Sequence, residues 1–250
     1  MTVRSIFNRL VAIGYITFVF FSSALFFLIA LVIWLGTRLF DQRLRFLHRF
    51  TCLWASLYIW IFPPWSVTVS GKENFRTDET YVIVSNHQSL VDILVVFTLF
   101  RHFKWVSKAE LFNIPLIGWN MYLNGYVCLE RGRNHSVKKM YQACEQHLRQ
   151  GSSIYLFPEG TRSESGRLRE FKEGAFALAK RQQTPILPIV INGSRTALPK
   201  NSLNFHGETN IQVTILPPID PENFVDTPAN ELAKQVRSII ENKLDSEQPA

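Results

Sequence analysis

Tyr81-Val82-Ile83-Val84-Ser85-Asn86-His87-Gln88-Ser89-Leu90-Val91-Asp92 reads as a strand, a turn and the start of a helix. The run Tyr81–Ser85 is short, apolar and β-branched, as a buried strand requires. Ser89 is a favoured N-cap. Asp92, three residues on, stands where a capping box places its carboxylate. A helix is expected over Leu90–Phe100. A strand feeding directly into a helix is the repeating unit of an α/β sheet.

The same alternation continues outward. Candidate strands are Ser66–Val69, Phe103–Ser107, Tyr126–Leu129, Ser153–Phe157, Ile186–Ile191 and Ile211–Leu216. Ser136–Arg149, Gly174–Arg181 and Asn230–Leu244 carry helical periodicity. The pattern predicts one α/β domain over residues 66–245 with a largely parallel, mixed sheet. Residues 1–65 would be hydrophobic anchoring helices and 246–250 a polar tail. There is no internal repeat and no low-complexity tract.

In open α/β sheets, ligands bind beyond the carboxyl ends of the strands. The polar residues just past four of these strands are His87, Lys108, Arg131 and the pair Glu159/Arg162. One base candidate and several cations would therefore share one edge. His87 and Asp92 alone are equally well read as a turn residue and a cap. With a carboxylate on one imidazole nitrogen, the other is free to act as a base. Phe157-Pro158-Glu159-Gly160-Thr161-Arg162-Ser163 forms a rigid turn whose arginine suits phosphate oxygens. It also fits a solvated Glu–Arg surface pair. Lys172 in the following segment reads either as a further phosphate contact or as an exposed lysine.

The net charge is +7. The basic excess sits in residues 1–76 (eight basic, two acidic) and 101–200 (sixteen basic, seven acidic). Such a distribution attracts anionic lipid or phosphate. No nucleic-acid-binding motif accompanies it, so nucleic acid is not an expected partner. Three scattered cysteines, Cys52, Cys128 and Cys144, suggest neither a disulfide framework nor a metal site. The six histidines lack metal-ligand spacing.

From Leu10 to Thr37 there is no charged residue. That stretch exceeds the roughly 20 residues a helix needs to cross a bilayer core, and the about 7–15 of a signal-peptide core. Arg4 and Arg9 precede it; Arg38, Arg43, Arg45 and Arg49 follow, which places the following region on the cytoplasmic side. A second uncharged run, Phe50–Ser70, is aromatic and interrupted by Pro63-Pro64. It fits a segment lying in one leaflet, and a re-entrant pair is the alternative to a true span. His48, among the arginines, is expected at the interface.

Four blocks in order carry a specific resemblance: NHQSLVD (86–92), GYVCLER (125–131), FPEGTRS (157–163) and Leu187-Pro188-Ile189-Val190. From about residue 65 to 220 the chain resembles the glycerolipid acyltransferase family, which contains the bacterial-type 1-acyl-glycerol-3-phosphate acyltransferases. Glu130 and Cys128 depart from the residues common there. The resemblance implies transfer of a fatty acyl group from acyl-CoA or acyl-carrier protein to a hydroxyl of a glycerol phosphate, with lysophosphatidate as acceptor and phosphatidic acid as product. It implies His87 as base and Asp92 as its orienting partner. The acceptor would be held by Lys108, Arg131, Glu159, Gly160, Thr161 and Arg162, with no metal and no cofactor beyond the thioester donor. Backbone N–H groups over Ser89–Val91 would receive the oxyanion. Glycerol 3-phosphate, lyso-ornithine lipid and other lysolipids are the alternative acceptors, and a non-catalytic membrane scaffold is the alternative of a different class. No Gly-x-Ser-x-Gly elbow or glycine-rich phosphate loop supports a hydrolase or a kinase.

Overall fold

The computed structural model describes residues 3–62, 64–163, 167–198 and 208–247, with the side chains of residues 3–10 and 12 outside the description. Residues 248–250 of the expected polar tail and 164–166 of the FPEGTRS loop therefore lie outside it, as does Pro63.

Two helices lead the chain. Helix α1 (Val3–Thr37) and helix α2 (Arg45–Trp60) run antiparallel, with Tyr15 and Ser22 meeting Tyr58, and Phe26 meeting Trp54 and Phe50. Within α1, Ile13–Thr37 has a mean hydropathy of 2.7 and is long and apolar enough to cross a membrane. Helix α2 begins five residues earlier than the uncharged run suggests. Asp41 explains this start, because its Oδ2 accepts the Phe46 N–H and so caps the first turn.

Among the described residues seven strands follow: β1 (Trp65–Ser70), β2 (Val82–Ser85), β3 (Phe103–Lys108), β4 (Val127–Leu129), β5 (Ser153–Leu156), β6 (Ile186–Asn192) and β7 (Thr209–Ile215). Their order across the sheet is β1-β7-β6-β2-β5-β3-β4. The five from β6 to β4 are mutually parallel. Strand β7 is antiparallel to β6, and β1 is parallel to β7. The sheet is thus mixed and largely parallel, as the strand–helix alternation predicts. Every expected strand is present with ends shifted by two residues at most.

Period-two alternation divides the core into two layers. Tyr81, Ile83, Phe103, Trp105, Tyr155, Leu187 and Ile189 point to one face, where they pack with α2 and with α3 (Val91–Phe97). Val82, Val84, Ile154, Ile186 and Val190 point to the other. There they meet α6 (Asn134–Arg149), α7 (Gly174–Gln182) and α9 (Ala229–Ser246). Each fully buried side chain of this size contributes about 1.5–3 kcal/mol. Both layers together clamp β2 and fix the height at which His87 leaves the sheet.

Three short helices escape the periodicity argument: α4 (Ala109–Phe112), α5 (Ile117–Leu123) and α8 (Ser194–Ala197). Helix α3 is also shorter than expected, ending at Phe97.

Helix α2 is not a free anchor. Cys52, Ala55 and Ile59 belong to the same core as β2 and α3. His48 is not interfacial but 2% exposed, with Nδ1 at 2.9 Å from the Tyr126 hydroxyl and Nε2 at 2.9 Å from the Arg101 carbonyl. Both nitrogens have partners inside the protein, so the ring has no need of the interface. Burial, with Lys104 nearby, lowers its pKa to about 3. Lys104, on β3 and 1% exposed, donates to the carbonyls of Arg43 (2.8 Å) and Asn124 (2.6 Å). One buried ammonium thereby ties the α1–α2 turn to the α/β domain, and burial lowers its pKa to about 7.

Candidate active site

The end of β2 is fastened before the turn begins. Asn86 is fully buried; its amide donates to the Ile191 carbonyl (2.7 Å) and accepts the Ile191 N–H (2.8 Å). It supplies in side-chain form one more rung between β2 and β6. A primary amide can do this because it has both a donor and an acceptor.

His87 follows, at the same level as Glu159: β2 and β5 pair Val84 with Leu156, and each residue lies three further on. His87 Nδ1 is 2.9 Å from Asp92 Oδ2. Asp92 is fully buried, and the same oxygen accepts the N–H groups of Gln88 (2.7 Å) and Ser89 (2.8 Å). A carboxylate accepts only, so Nδ1 carries the proton and Nε2 presents a lone pair. Among the described residues Nε2 has no hydrogen-bond partner. The imidazole stacks on Phe157 with centroids 3.9 Å apart and planes 13° from parallel, and Phe157 is stacked on Trp105 in turn. Ring and carboxylate together leave one orientation.

The capping-box reading and the base reading coincide here. Asp92 accepts the Ser89 N–H as the box requires. Ser89 Oγ accepts the Val91 N–H at 3.2 Å and donates to the Leu198 carbonyl.

That bonding corrects one expectation. The amides of Gln88, Ser89 and Val91 are already committed, to Asp92 Oδ2 and Ser89 Oγ, so they do not form an oxyanion hole. Leu90 N–H has no acceptor among the described residues, and Leu90 is exposed. It is the amide of this turn left to receive a developing charge.

FPEGTRS joins NHQSLVD through two bonds, and a third ties it to its own loop. Glu159 is 4% exposed; its Oε1 accepts the His87 N–H (2.7 Å) and its Oε2 the Arg169 N–H (2.9 Å). The Ser163 N–H donates to the His87 carbonyl (3.0 Å). Burial raises the Glu159 pKa, opposed by those two N–H donors. Both carboxylate oxygens face backbone, so Glu159 builds the loop from within. Thr161 and Arg162 are half-buried in the segment between Gly160 and Ser163.

The cations gather one and two strands away. Lys108 ends β3, in register with Leu129 of β4, and Arg131 lies two residues beyond Leu129. Gly160 has φ +72°, and a Cβ there would sit 3.2 Å from Arg131 Nη2 and 3.5 Å from Lys172 Nζ. Arg131 and Lys172 thus converge on one glycine with no acidic partner among the described residues. Two like charges held together without a carboxylate mark a place for an anion. Lys172 is thereby drawn to the site; nothing in its sequence context separates it from any exposed lysine. Asn86 and Phe157, by contrast, are not singled out by the sequence as parts of the site, since an Asn before a turn and a Phe ending a strand are ordinary.

Residues 66–192 match the family model described as Acyltransferase. The chain is 37% identical over 209 residues to the chloroplastic 1-acyl-sn-glycerol-3-phosphate acyltransferase LPAT1 of Arabidopsis thaliana, covering 83% of this chain and 57% of that one. It is 34% identical over 173 residues to 1-acyl-sn-glycerol-3-phosphate acyltransferase alpha of Mus musculus, covering 68% of this chain and 61% of that one. The chain spans less than two thirds of the length of these relatives. The crystal structure of the 1-acyl-sn-glycerophosphate (LPA) acyltransferase PlsC of Thermotoga maritima superposes with a TM-score of 0.76 at 22% identity, over 97% of this chain and 99% of that one. The fold is the same.

Proposed function

Because this chain belongs to the acyltransferase family, we propose that it moves a fatty acyl group from a thioester to the sn-2 hydroxyl of 1-acyl-glycerol 3-phosphate, giving phosphatidic acid. The observation that carries this reading is His87, held by Asp92 at Nδ1 and stacked on Phe157, whose Nε2 has no hydrogen-bond partner among the described residues, on the strand-end edge where the loop at Gly160 brings Arg131 and Lys172 together. The relatives named above supply the acceptor.

A glycerol hydroxyl is a poor nucleophile until its proton is removed. His87 Nε2 takes that proton as the oxygen attacks the thioester carbonyl carbon. Asp92 stabilises the imidazolium, and Leu90 N–H faces the carbonyl oxygen as it becomes anionic. The tetrahedral adduct collapses, the C–S bond breaks, and His87 returns its proton to the departing sulfur. The acyl group passes directly to the acceptor and no acyl-enzyme forms.

Arg131, Lys172, Lys108 and Arg162 hold the acceptor phosphate, which fixes the distance between the hydroxyl and His87. Gly160 leaves room for that phosphate, and Glu159 and Thr161 shape the loop around it. The thioester brings its own leaving group, so the reaction calls for no metal or further cofactor. Helix α1 anchors the protein in the bilayer where acceptor and product reside, and the arginines after it support a cytoplasmic α/β domain.

The test uses purified full-length protein, acyl-CoA and acyl-carrier protein as donors, and a panel of lysophosphatidate, glycerol 3-phosphate and lyso-ornithine lipid. Thiol release dependent on lysophosphatidate is expected, with Arg131→Ala and Lys172→Ala raising the acceptor KM more than they lower kcat. Turnover with a different acceptor alone would overturn the acceptor assignment. No turnover with any of them would sink the enzyme reading and leave a membrane scaffold.

A further inference from the structure

Helix α5 is built inside out. The polar side chains of the helix and its C-cap face the protein: Asn120 and Asn124, 5% and 0% exposed, both donate to Thr51 Oγ1 of α2 at 3.2 and 3.0 Å. Met121 packs on the core, but most of the helix's other large apolar side chains face outward. Ile117, Trp119 and Tyr122, with Ile114 just before the helix, are 42–59% exposed. No charged residue occurs from Leu111 to Leu129. A surface helix in water shows the opposite polarity, with its apolar stripe on the core.

Helix α1 has the same inverted pattern. The hydroxyls of Tyr15, Ser22 and Ser23 turn inward onto Tyr58, while Phe20, Phe21, Leu28 and Val32 face outward. The two inverted surfaces touch, since the ring of Phe27 on α1 meets that of Trp119 on α5 at 5.6 Å. Hydroxyls and amides paired inside, aliphatic side chains outside, and Trp and Tyr among them is the arrangement a lipid solvent selects. One continuous surface with one polarity has one solvent.

From this we infer that α5 is a further membrane-contacting element, resting on lipid beside α1. The inference rests on the membrane reading of α1 given above. It has a consequence for substrate delivery. Helices α4 and α5 connect β3 to β4, whose carboxyl ends carry Lys108 and Arg131. The connection bearing two of the phosphate-holding cations is therefore the one resting on lipid. A lysolipid is met at headgroup depth with its acyl chain still in the leaflet.

The test is site-directed spin labelling of the full chain in phosphatidylcholine/phosphatidylglycerol vesicles. Labels replace Ile117, Tyr122, Phe21 on α1 and Gln142 on α6, one at a time, in a Cys128→Ser background. Collisions with oxygen, which partitions into lipid, are compared with those of a water-soluble nickel chelate. The oxygen-to-nickel ratio at Ile117 and Tyr122 should match Phe21 and exceed Gln142 several-fold. Water-like ratios at Ile117 and Tyr122 beside a lipid-like Phe21 would overturn the inference alone. A water-like Phe21 would overturn the membrane reading and this inference with it. Exclusion of both reagents with spin–spin broadening between molecules would show that a second copy covers the face, and would also overturn it.

Discussion

Replacing Asp92 with Asn separates what this carboxylate does for the fold from what it does for His87. Its Oδ2 accepts three hydrogen bonds, from His87 Nδ1 and from the amides of Gln88 and Ser89. Its Oδ1 is buried with no partner among the described residues. An Asn side chain can set its carbonyl oxygen in the place of Oδ2 and its NH2 in the place of Oδ1. All three acceptor bonds then survive in neutral form. Weakening the two backbone bonds from charge-assisted to neutral costs about 1–3 kcal/mol in all. The larger effect falls on the protonated imidazole. Unit charges about 4 Å apart attract by ~4 kcal/mol at an effective dielectric of ~20. Losing that attraction when His87 carries the hydroxyl proton slows acyl transfer by about three orders of magnitude. The assay is initial-rate thiol release over a range of acceptor concentrations, with urea unfolding of the same preparations. Asp92→Asn should lower kcat about 1,000-fold while leaving the acceptor KM near that of the parent, because the cations are untouched. Folded Asp92→Asn protein with kcat within roughly tenfold of the parent would refute the assignment of Asp92 as the partner of a catalytic imidazolium.

Glu159→Gln should disturb both loops at once. A Gln carbonyl can accept from His87 N–H or from Arg169 N–H, and its NH2 then confronts the other donor. A stability loss of about 1–3 kcal/mol is expected, with a fall in kcat as His87 shifts; unchanged unfolding and unchanged kcat would show that the loops are not coupled through this carboxylate. Acid should unfold the protein steeply. Burial, the largest cause for each, holds His48, His102 and His147 neutral in the fold, with pKa values lowered to about 3, 2 and 4 from 6.5. The unfolded chain takes up those protons below pH 6.5 and the folded one does not. Stability therefore falls as pH drops through 6 to 4, by up to about 4 kcal/mol per pH unit for three protons. Melting temperatures at pH 7.5, 6 and 5 check this, with a shallower dependence in His102→Gln; a flat profile would contradict it.

Much of this architecture is legible in the sequence because β2 to β6 are buried on both faces. Runs such as Val82-Ile83-Val84 and Ile189-Val190-Ile191 have no other stable home. The strand ends locate His87, Lys108, Arg131 and Glu159 on one edge for the same reason. What the sequence hides is the direction of side chains. His48 among arginines looks interfacial, yet α2 turns it inward to Tyr126 and Arg101. Helix α5 gives no helical signal because its polarity is reversed and it spans only seven residues. The pairing of Asn86 with Ile191 depends on a register between strands a hundred residues apart. The approach of Lys172 to Gly160 depends on how the loop after β5 folds back. Local pattern specifies neither.

The pairing of β1 with β7 has a bearing on synthesis. Trp65 aligns with Thr209 in the finished sheet, 144 residues later in the chain. At ~5–20 residues per second, β1 leaves the ribosome roughly 7–30 s before its neighbour exists. During that interval the hydrophobic hairpin is already available for insertion, while the strand attached to it has an open edge. The first strand made is closed by the last, so the domain becomes cooperative only when the carboxyl-terminal fifth of the chain arrives. A nascent chain stopped before Thr209 would be a tethered, half-closed sheet, and a natural client for chaperones and proteases at the membrane.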